Sequence, residues 1–255
     1  WYNSRWSLLF KRVTAGAEYF IFNSKATKNL FNEKVAIPKR GIILYPGINS
    51  AELLKYGKNA PDVNEKYNFS KDDLLIISIG ALVERKGFDL AIEAVSGIMQ
   101  SNPSLPVKYI IAGAGKMESK LNDLIRQKGL SSKIVLAGEI SDDEKFALLG
   151  RAGVFVMPSH TENGNNIEGF GIVYLEAALF NNYVIGANSG GAPEAIPSAP
   201  QGVAVDAGNI CELQAAISAK LQAVQKGVIA QVDREWLKKF EWEEQLKIFT
   251  SFHNS

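Results

Sequence analysis

From Leu74 onward, short, β-rich apolar runs alternate with segments whose apolar residues recur every three or four positions. The runs are Leu74 to Ile79, Val107 to Ala112, Lys133 to Ala137, Val154 to Met157, Tyr183 to Ala187 and Val203 to Asp206. They are rich in Val, Ile and Leu and do not alternate with polar residues, which fits strands buried on both faces. Between them lie helical stripes. Phe88, Ala91, Ile92, Val95, Ile98 and Met99 share one face of a helix that should end before Pro103. Met117, Leu121, Leu124 and Ile125 form a second stripe stopping near Gly129, and Ser141 with Glu144 has capping-box spacing that opens a third helix through Phe146 and Leu149. A fourth starts near Gly171 and carries Val173, Ala177 and Ala178; a fifth runs from about Cys211 to Val224. This alternation predicts an α/β fold over residues 74–235: a Rossmann-like parallel sheet with helices on both faces and ligands at the carboxyl ends of its strands.

The flanks follow a different pattern. Tyr19 to Asn23 reads as a strand, Ser24 as the cap of a helix through Phe31, and Gly41 to Tyr45 as another strand leading to Pro46 and Gly47. Residues 1–45 thus read as the end of a preceding unit, and residues 46–73, rich in Lys, Asn and Asp from residue 50, as a polar connection. The tail, residues 236–255, sets Trp236, Phe240, Trp242, Leu246 and Phe249 among charges, so it predicts one or two aromatic-rich helices that need another surface to cover them.

Composition changes this picture little. With 46% apolar and 22% charged residues, the 255-residue chain can bury a sizeable core. A net charge of +1 gives no case for nucleic acid as the main ligand. The charge is uneven, however: residues 1–45 hold eight bases and two acids, a basic stretch that suits a solvated face, an anionic lipid surface or a phosphorylated acceptor. The single cysteine, Cys211, excludes an internal disulfide and fits a reducing compartment. No apolar run approaches the roughly 20 residues of a membrane-spanning helix, so the expected location is cytoplasmic, with peripheral contact at the membrane face.

Candidate chemistry gathers in three turns that follow strands. The first, Gly80-Ala81-Leu82-Val83-Glu84-Arg85-Lys86-Gly87, puts a lysine beside a helix N-terminus, where a cation and free amides suit phosphate. The second runs from Pro158 to Ala177 and contains Glu168-Gly169-Phe170-Gly171-Ile172 at the next helix start, with Glu176 about five residues in, roughly 8 Å along the axis. Amides near Phe170, Gly171 and Ile172 suit a diphosphate, although an acid at a helix N-terminus can also simply complement the dipole. The third, Asn188-Ser189-Gly190-Gly191-Ala192-Pro193-Glu194, is either another amide cradle or a plain turn. Gly113-Ala114-Gly115-Lys116 lacks the third glycine of a dinucleotide loop and the Ser or Thr of a Walker loop, and reads as a turn near a nucleotide base. His160 has no identifiable partner, and Ser159 lacks a hydrolase elbow.

Together, Gly-x-Leu-Val-x-x-Lys-Gly, the Glu-x7-Glu block from Glu168 to Glu176, and Ser-Gly-Gly-x-Pro-Glu resemble the C-terminal, donor-binding domain of glycosyltransferase family 4, of GT-B fold. The long polar insert before Glu168 looks most like bacterial or archaeal mannosyltransferases. The resemblance implies that Lys86 meets the diphosphate of a UDP- or GDP-sugar, Glu168 the hydroxyls of the transferred sugar and Glu176 the ribose. Gly169, Phe170, Gly171, Ile172, Gly113, Gly190 and Gly191 would line the donor. It also implies retention of anomeric configuration with neither cofactor nor metal, a glycan or lipid-linked acceptor, and a tail that packs toward the N-terminal domain. The sequence departs from the pattern in two places. Ala81 stands where the family usually has a phosphate-binding Arg, which makes Arg85 the candidate substitute, and Pro46-Gly47-Ile48-Asn49 replaces Asn-Gly-Val-Asp. With most of the N-terminal domain absent, the chain is expected to bind donor but to transfer poorly. The alternatives are a nucleotide-sugar-binding module without catalysis and a sugar-nucleotide epimerase of similar fold.

Overall fold

Leu75, Ile76 and Ile77 are almost wholly removed from solvent, as expected of a strand covered on both faces. The computed structural model of the protein describes residues 12, 14–56, 62–164 and 166–253. The main sheet contains β3 (Leu74–Ile79), β4 (Val107–Ala112), β5 (Ile134–Gly138), β6 (Val154–Met157), β7 (Tyr183–Ala187) and β8 (Gly202–Val205), numbered after β1 (Phe20–Phe22) and β2 (Gly41–Ile43). All its neighbours are parallel, in the order β5-β4-β3-β6-β7-β8. Bounds differ from the pattern-based expectation by one residue at β5 and β8.

Among the described residues, eleven α-helices flank or connect these strands. The first five helices are α1 (Lys25–Lys34), α2 (Ser50–Leu53), α3 (Val63–Tyr67), α4 (Phe88–Ser101) and α5 (Glu118–Gln127). They are followed by α6 (Asp142–Arg151), α7 (Ile172–Leu179), α8 (Ala192–Ala195), α9 (Ile210–Gln225), α10 (Arg234–Lys238) and α11 (Trp242–His253). The stripe residues Ala91, Ile92, Val95 and Ile98 of α4 are buried against the sheet, and Ser141 caps α6 by accepting from the Glu144 amide.

Residues 46–73 do more than connect. Ile48, Val63 and Phe69 enter the main core. The Lys66 ammonium (2.5 Å) and the Tyr67 hydroxyl (2.6 Å) both donate to Glu144 Oε1 on α6, while Arg151 donates to Asn64 Oδ1 and the Ser70 carbonyl. Three widely spaced apolar residues among polar ones give no periodic signal, which is why this packed strap reads as a plain linker.

The N-terminal flank forms a separate two-stranded parallel sheet of β1 and β2, followed from β1 by α1 with Ser24 in a reciprocal capping box with Thr27. The tail is two helices. Ile48 and α11 are joined where the Ile48 amide donates to the Phe240 carbonyl and the Trp242 amide donates to the Ile48 carbonyl. Gln245 Oε1 accepts from the Tyr45 amide, and Tyr19 meets Phe252 edge to face. The tail therefore covers residues 40–48, although Trp242, Leu246 and Phe249 remain exposed.

Candidate functional site

Strand order decides where a ligand can enter. The chain moves outward from β3 through β4 to β5, then returns to the opposite side of β3 with β6 and continues through β7 to β8. The reversal lies between β3 and β6, and the segments leaving their carboxyl ends diverge to leave a crevice. Two of the three candidate turns leave from these two strands.

The turn after β3 ends in a short 3-10 helix, Glu84–Lys86, that carries both cations. Gly87 then adopts φ +69, and a Cβ there would stand 2.4 Å from the Pro158 carbonyl oxygen, so only glycine allows this approach. The His160 amide donates to the Arg85 carbonyl at 2.8 Å. The cation-bearing turn is thereby fastened to the segment that follows β6.

That segment supplies the acid. Glu168 Oε2 accepts from Lys86 Nζ at 2.5 Å and Arg85 Nη1 at 2.8 Å, with Ser159 Oγ at 3.5 Å. Glu168 and Lys86 are both buried. Two cations against one carboxylate leave an excess of positive charge at the mouth of α7. Gly171, at φ +89, begins that helix without a side-chain cap. The amides of Gly171, Ile172 and Val173 donate to no acceptor among the described residues. Below them the Tyr174 hydroxyl donates to the Met157 carbonyl at 2.6 Å, and burial pushes its ionisation above the ordinary range, so it stays a donor.

Glu176 lies on the same helix in different company. Its Oε1 accepts from Lys145 Nζ of α6 at 3.0 Å, and Lys86 is paired with Glu168 instead. The two acids of the Glu-x7-Glu block thus hold separate cations, Arg85 and Lys86 at Glu168 and Lys145 at Glu176. Burial works to discharge Lys145, but the charges and hydrogen bonds of Glu176 and Asp142 outweigh it and raise its ionisation.

The third turn acts differently from an open amide cradle. The Gly191 amide donates to the Glu168 carbonyl at 2.7 Å and is already committed. A Cβ on Gly191 would lie 2.1 Å from the Gly169 carbonyl oxygen, so this turn braces the Glu168 loop from behind. Glu194 points away and binds α1, accepting from the amides of Lys25 (2.9 Å) and Ala26 (3.0 Å) and from the Tyr45 hydroxyl (2.9 Å). Gly113 packs against the first turn, where a Cβ would come within 2.0 Å of the Gly80 carbonyl oxygen. The Phe170 side chain is buried beside Tyr45 and Phe240 and anchors the loop, whereas the Ile172 side chain is exposed at the rim.

Three residues at the site escape sequence reasoning. Ser159 reaches Glu168, Lys145 reaches Glu176, and Asn23 lies over Gly169, its Nδ2 2.9 Å from where a Cβ would be. Each is brought in by a different element, and only the position of Ser159 directly after a buried strand was a usable signal. His160 Nδ1 is buried without a partner. Among the described residues, no group of three or more His, Cys, Asp or Glu could hold a metal ion.

The sequence model of the family described as glycosyl transferases group 1 matches residues 59–224, which is more than half of the chain. The chain belongs to that family. It is 27% identical over 240 residues to the GDP-mannose-dependent alpha-(1-6)-phosphatidylinositol monomannoside mannosyltransferase of Mycobacterium tuberculosis, covering 91% of this chain and 62% of the relative. It is 33% identical over 150 residues to a GDP-mannose-dependent mannosyltransferase of Corynebacterium glutamicum acting on a monoacylated form of that acceptor, covering 58% of this chain and 38% of the relative. The chain therefore spans less than two thirds of the length of these curated relatives. Among solved structures, the Anabaena protein HepE in complex with UDP and glucose superposes with a TM-score of 0.79 at 19% identity, covering 98% of this chain and 67% of that one. The sucrose-phosphate synthase of Thermosynechococcus elongatus gives 0.76, also at 19% identity, covering 99% and 62%. These likenesses place the fold among the GT-B glycosyltransferases.

Proposed function

We propose that this chain is the donor-binding half of a retaining hexosyltransferase of family 4. It takes a hexose, mannose by the relatives' names, from a UDP- or GDP-sugar to a glycan or lipid-linked acceptor. One observation carries the reading: Arg85 and Lys86 converge on Glu168 beneath the unpartnered first-turn amides of α7, at the reversal point of the sheet. In this reading the donor's diphosphate settles against those amides and draws Lys86 and Arg85 toward its oxygens. Arg85 then supplies the second cation that Ala81 lacks. Glu168, relieved of one partner, turns its carboxylate to the hydroxyls of the sugar. As the bond from the anomeric carbon to the phosphate oxygen breaks, the electron pair leaves with the diphosphate, whose growing charge these cations and amides stabilise. The acceptor hydroxyl bonds to the same carbon from the same face and gives its proton to the departing phosphate. No metal is needed to balance these steps.

The lipid-linked acceptors in the relatives' names, with the basic residues of 1–45, support peripheral attachment at the cytoplasmic face of a membrane. No helix among the described residues is long and apolar enough to cross one. A thermal-shift panel of UDP, GDP and ADP with their sugars tests the donor site, because a ligand that binds only the folded state raises its melting temperature. A rise with UDP or GDP is expected, and no rise with any of them removes the reading. Interconversion of the free donor without acceptor would instead reveal an epimerase.

A further inference from the structure

Glu176 sits at the fifth position of α7, in a helix whose residues from Val173 to Leu179 are all buried. A carboxylate there loses solvation that an alkyl side chain would not have, so packing gives no reason for it. Its Oε1 is held by Lys145 at 3.0 Å; its Oε2 has no hydrogen-bond partner among the described residues, yet is not sealed off from solvent. Lys145 is itself fixed from three sides. It reaches Asp142 at 3.1 Å and Glu176 at 3.0 Å, and its ammonium lies 4.3 Å from the centre of the Phe146 ring. A carboxylate clamped at one oxygen presents the other in a defined direction.

We infer that Lys145 is a positioning residue of the nucleotide site: by holding Glu176 at Oε1 it aims Oε2 at the ribose hydroxyls of the nucleotide diphosphate. This rests on the donor-site reading above. Lys145 touches no part of the nucleotide and acts only through Glu176. The clamp lowers the ordering needed for Glu176 to accept a hydroxyl.

Isothermal titration of the chain with UDP, GDP and their 2′-deoxy counterparts tests this. The wild-type chain should bind at least one ribonucleotide roughly tenfold more tightly than its 2′-deoxy form, the scale of one hydrogen bond to a charged group. Lys145→Met should weaken the ribonucleotide and leave the deoxynucleotide nearly unchanged, so that the ratio falls toward one, and Lys145→Arg should restore it. Should Lys145→Met fold poorly, the double variant with Glu176→Gln, which leaves only the exposed Asp142 without its partner, should match Glu176→Gln alone. A ratio that survives Lys145→Met, or an equal loss for both sugars, overturns the inference. A wild-type chain that binds both forms equally overturns it while leaving the phosphate site standing. Failure to bind either UDP or GDP removes the donor-site reading itself.

Discussion

Replacing Lys86 by Met removes one of two cations from Glu168 while keeping the length and apolar stem of the side chain. Arg85 Nη1 remains 2.8 Å from the same Glu168 oxygen, so the acid keeps a charged partner. The ligand-free protein should therefore lose less than the about 3–5 kcal/mol typical of a buried acid left alone. Donor binding should suffer more directly. A hydrogen bond between charged groups contributes about 1.5–3 kcal/mol, equivalent to roughly 10- to 100-fold in affinity for the diphosphate. The lower part of that range is expected, because Lys86 must loosen its 2.5 Å contact with Glu168 before it meets phosphate. Thermal unfolding with added nucleotide reads this out. At ligand 100-fold above its dissociation constant the wild-type chain gains about 2.7 kcal/mol, or roughly 5–11 °C at about 2–4 °C per kcal/mol. A tenfold loss of affinity leaves about 1.4 kcal/mol at the same concentration, a shift of roughly 3–6 °C. Equal shifts for variant and wild type refute the placement of Lys86 on the diphosphate.

Gly191→Ala should destabilise the protein by about 1–3 kcal/mol in urea denaturation, because the new Cβ meets the Gly169 carbonyl oxygen at 2.1 Å. The same variant should weaken UDP or GDP binding as the Glu168 loop moves. Glu194→Ala strips two α1 amides of their acceptor and should cost about 1–2 kcal/mol by the same assay. Burial, with help from Glu194, holds the Tyr45 phenol above its ordinary range; spectroscopic titration of that variant should find it ionising at lower pH. Burial alone would push the Glu144 carboxyl up, but hydrogen bonds from Lys66 and Tyr67 and the Lys66 charge outweigh it and hold it below 4.5. This stabilisation is fully present above the unfolded carboxyl's range and disappears as pH falls through the lower folded value. Glu144→Gln should accordingly flatten the acid limb of a stability–pH curve, and an unchanged limb would show that the pair contributes nothing.

The sequence by itself determined the elements of the main sheet and the family to which the chain belongs. Buried parallel strands must be apolar throughout and helices on a sheet must be striped, so both kinds of element could be read from local spacing, to within a residue at β5 and β8. The Glu-x7-Glu block was equally local, since its two acids and the two glycines between them lie on one loop and one short helix. Tertiary structure decided which residues meet. Nothing in a linear pattern orders the strands, and it is the placement of β6 beside β3 that brings Arg85 and Lys86 to Glu168 across more than 80 positions of sequence. The same holds for Lys145 and Glu176, for the Gly191 amide spent on the Glu168 carbonyl, and for Ile48, Val63 and Phe69, whose burial no periodicity announced. Hydrophobic patterning reports what one segment hides from water; the pairing of charges depends on distances set only once the segments have packed.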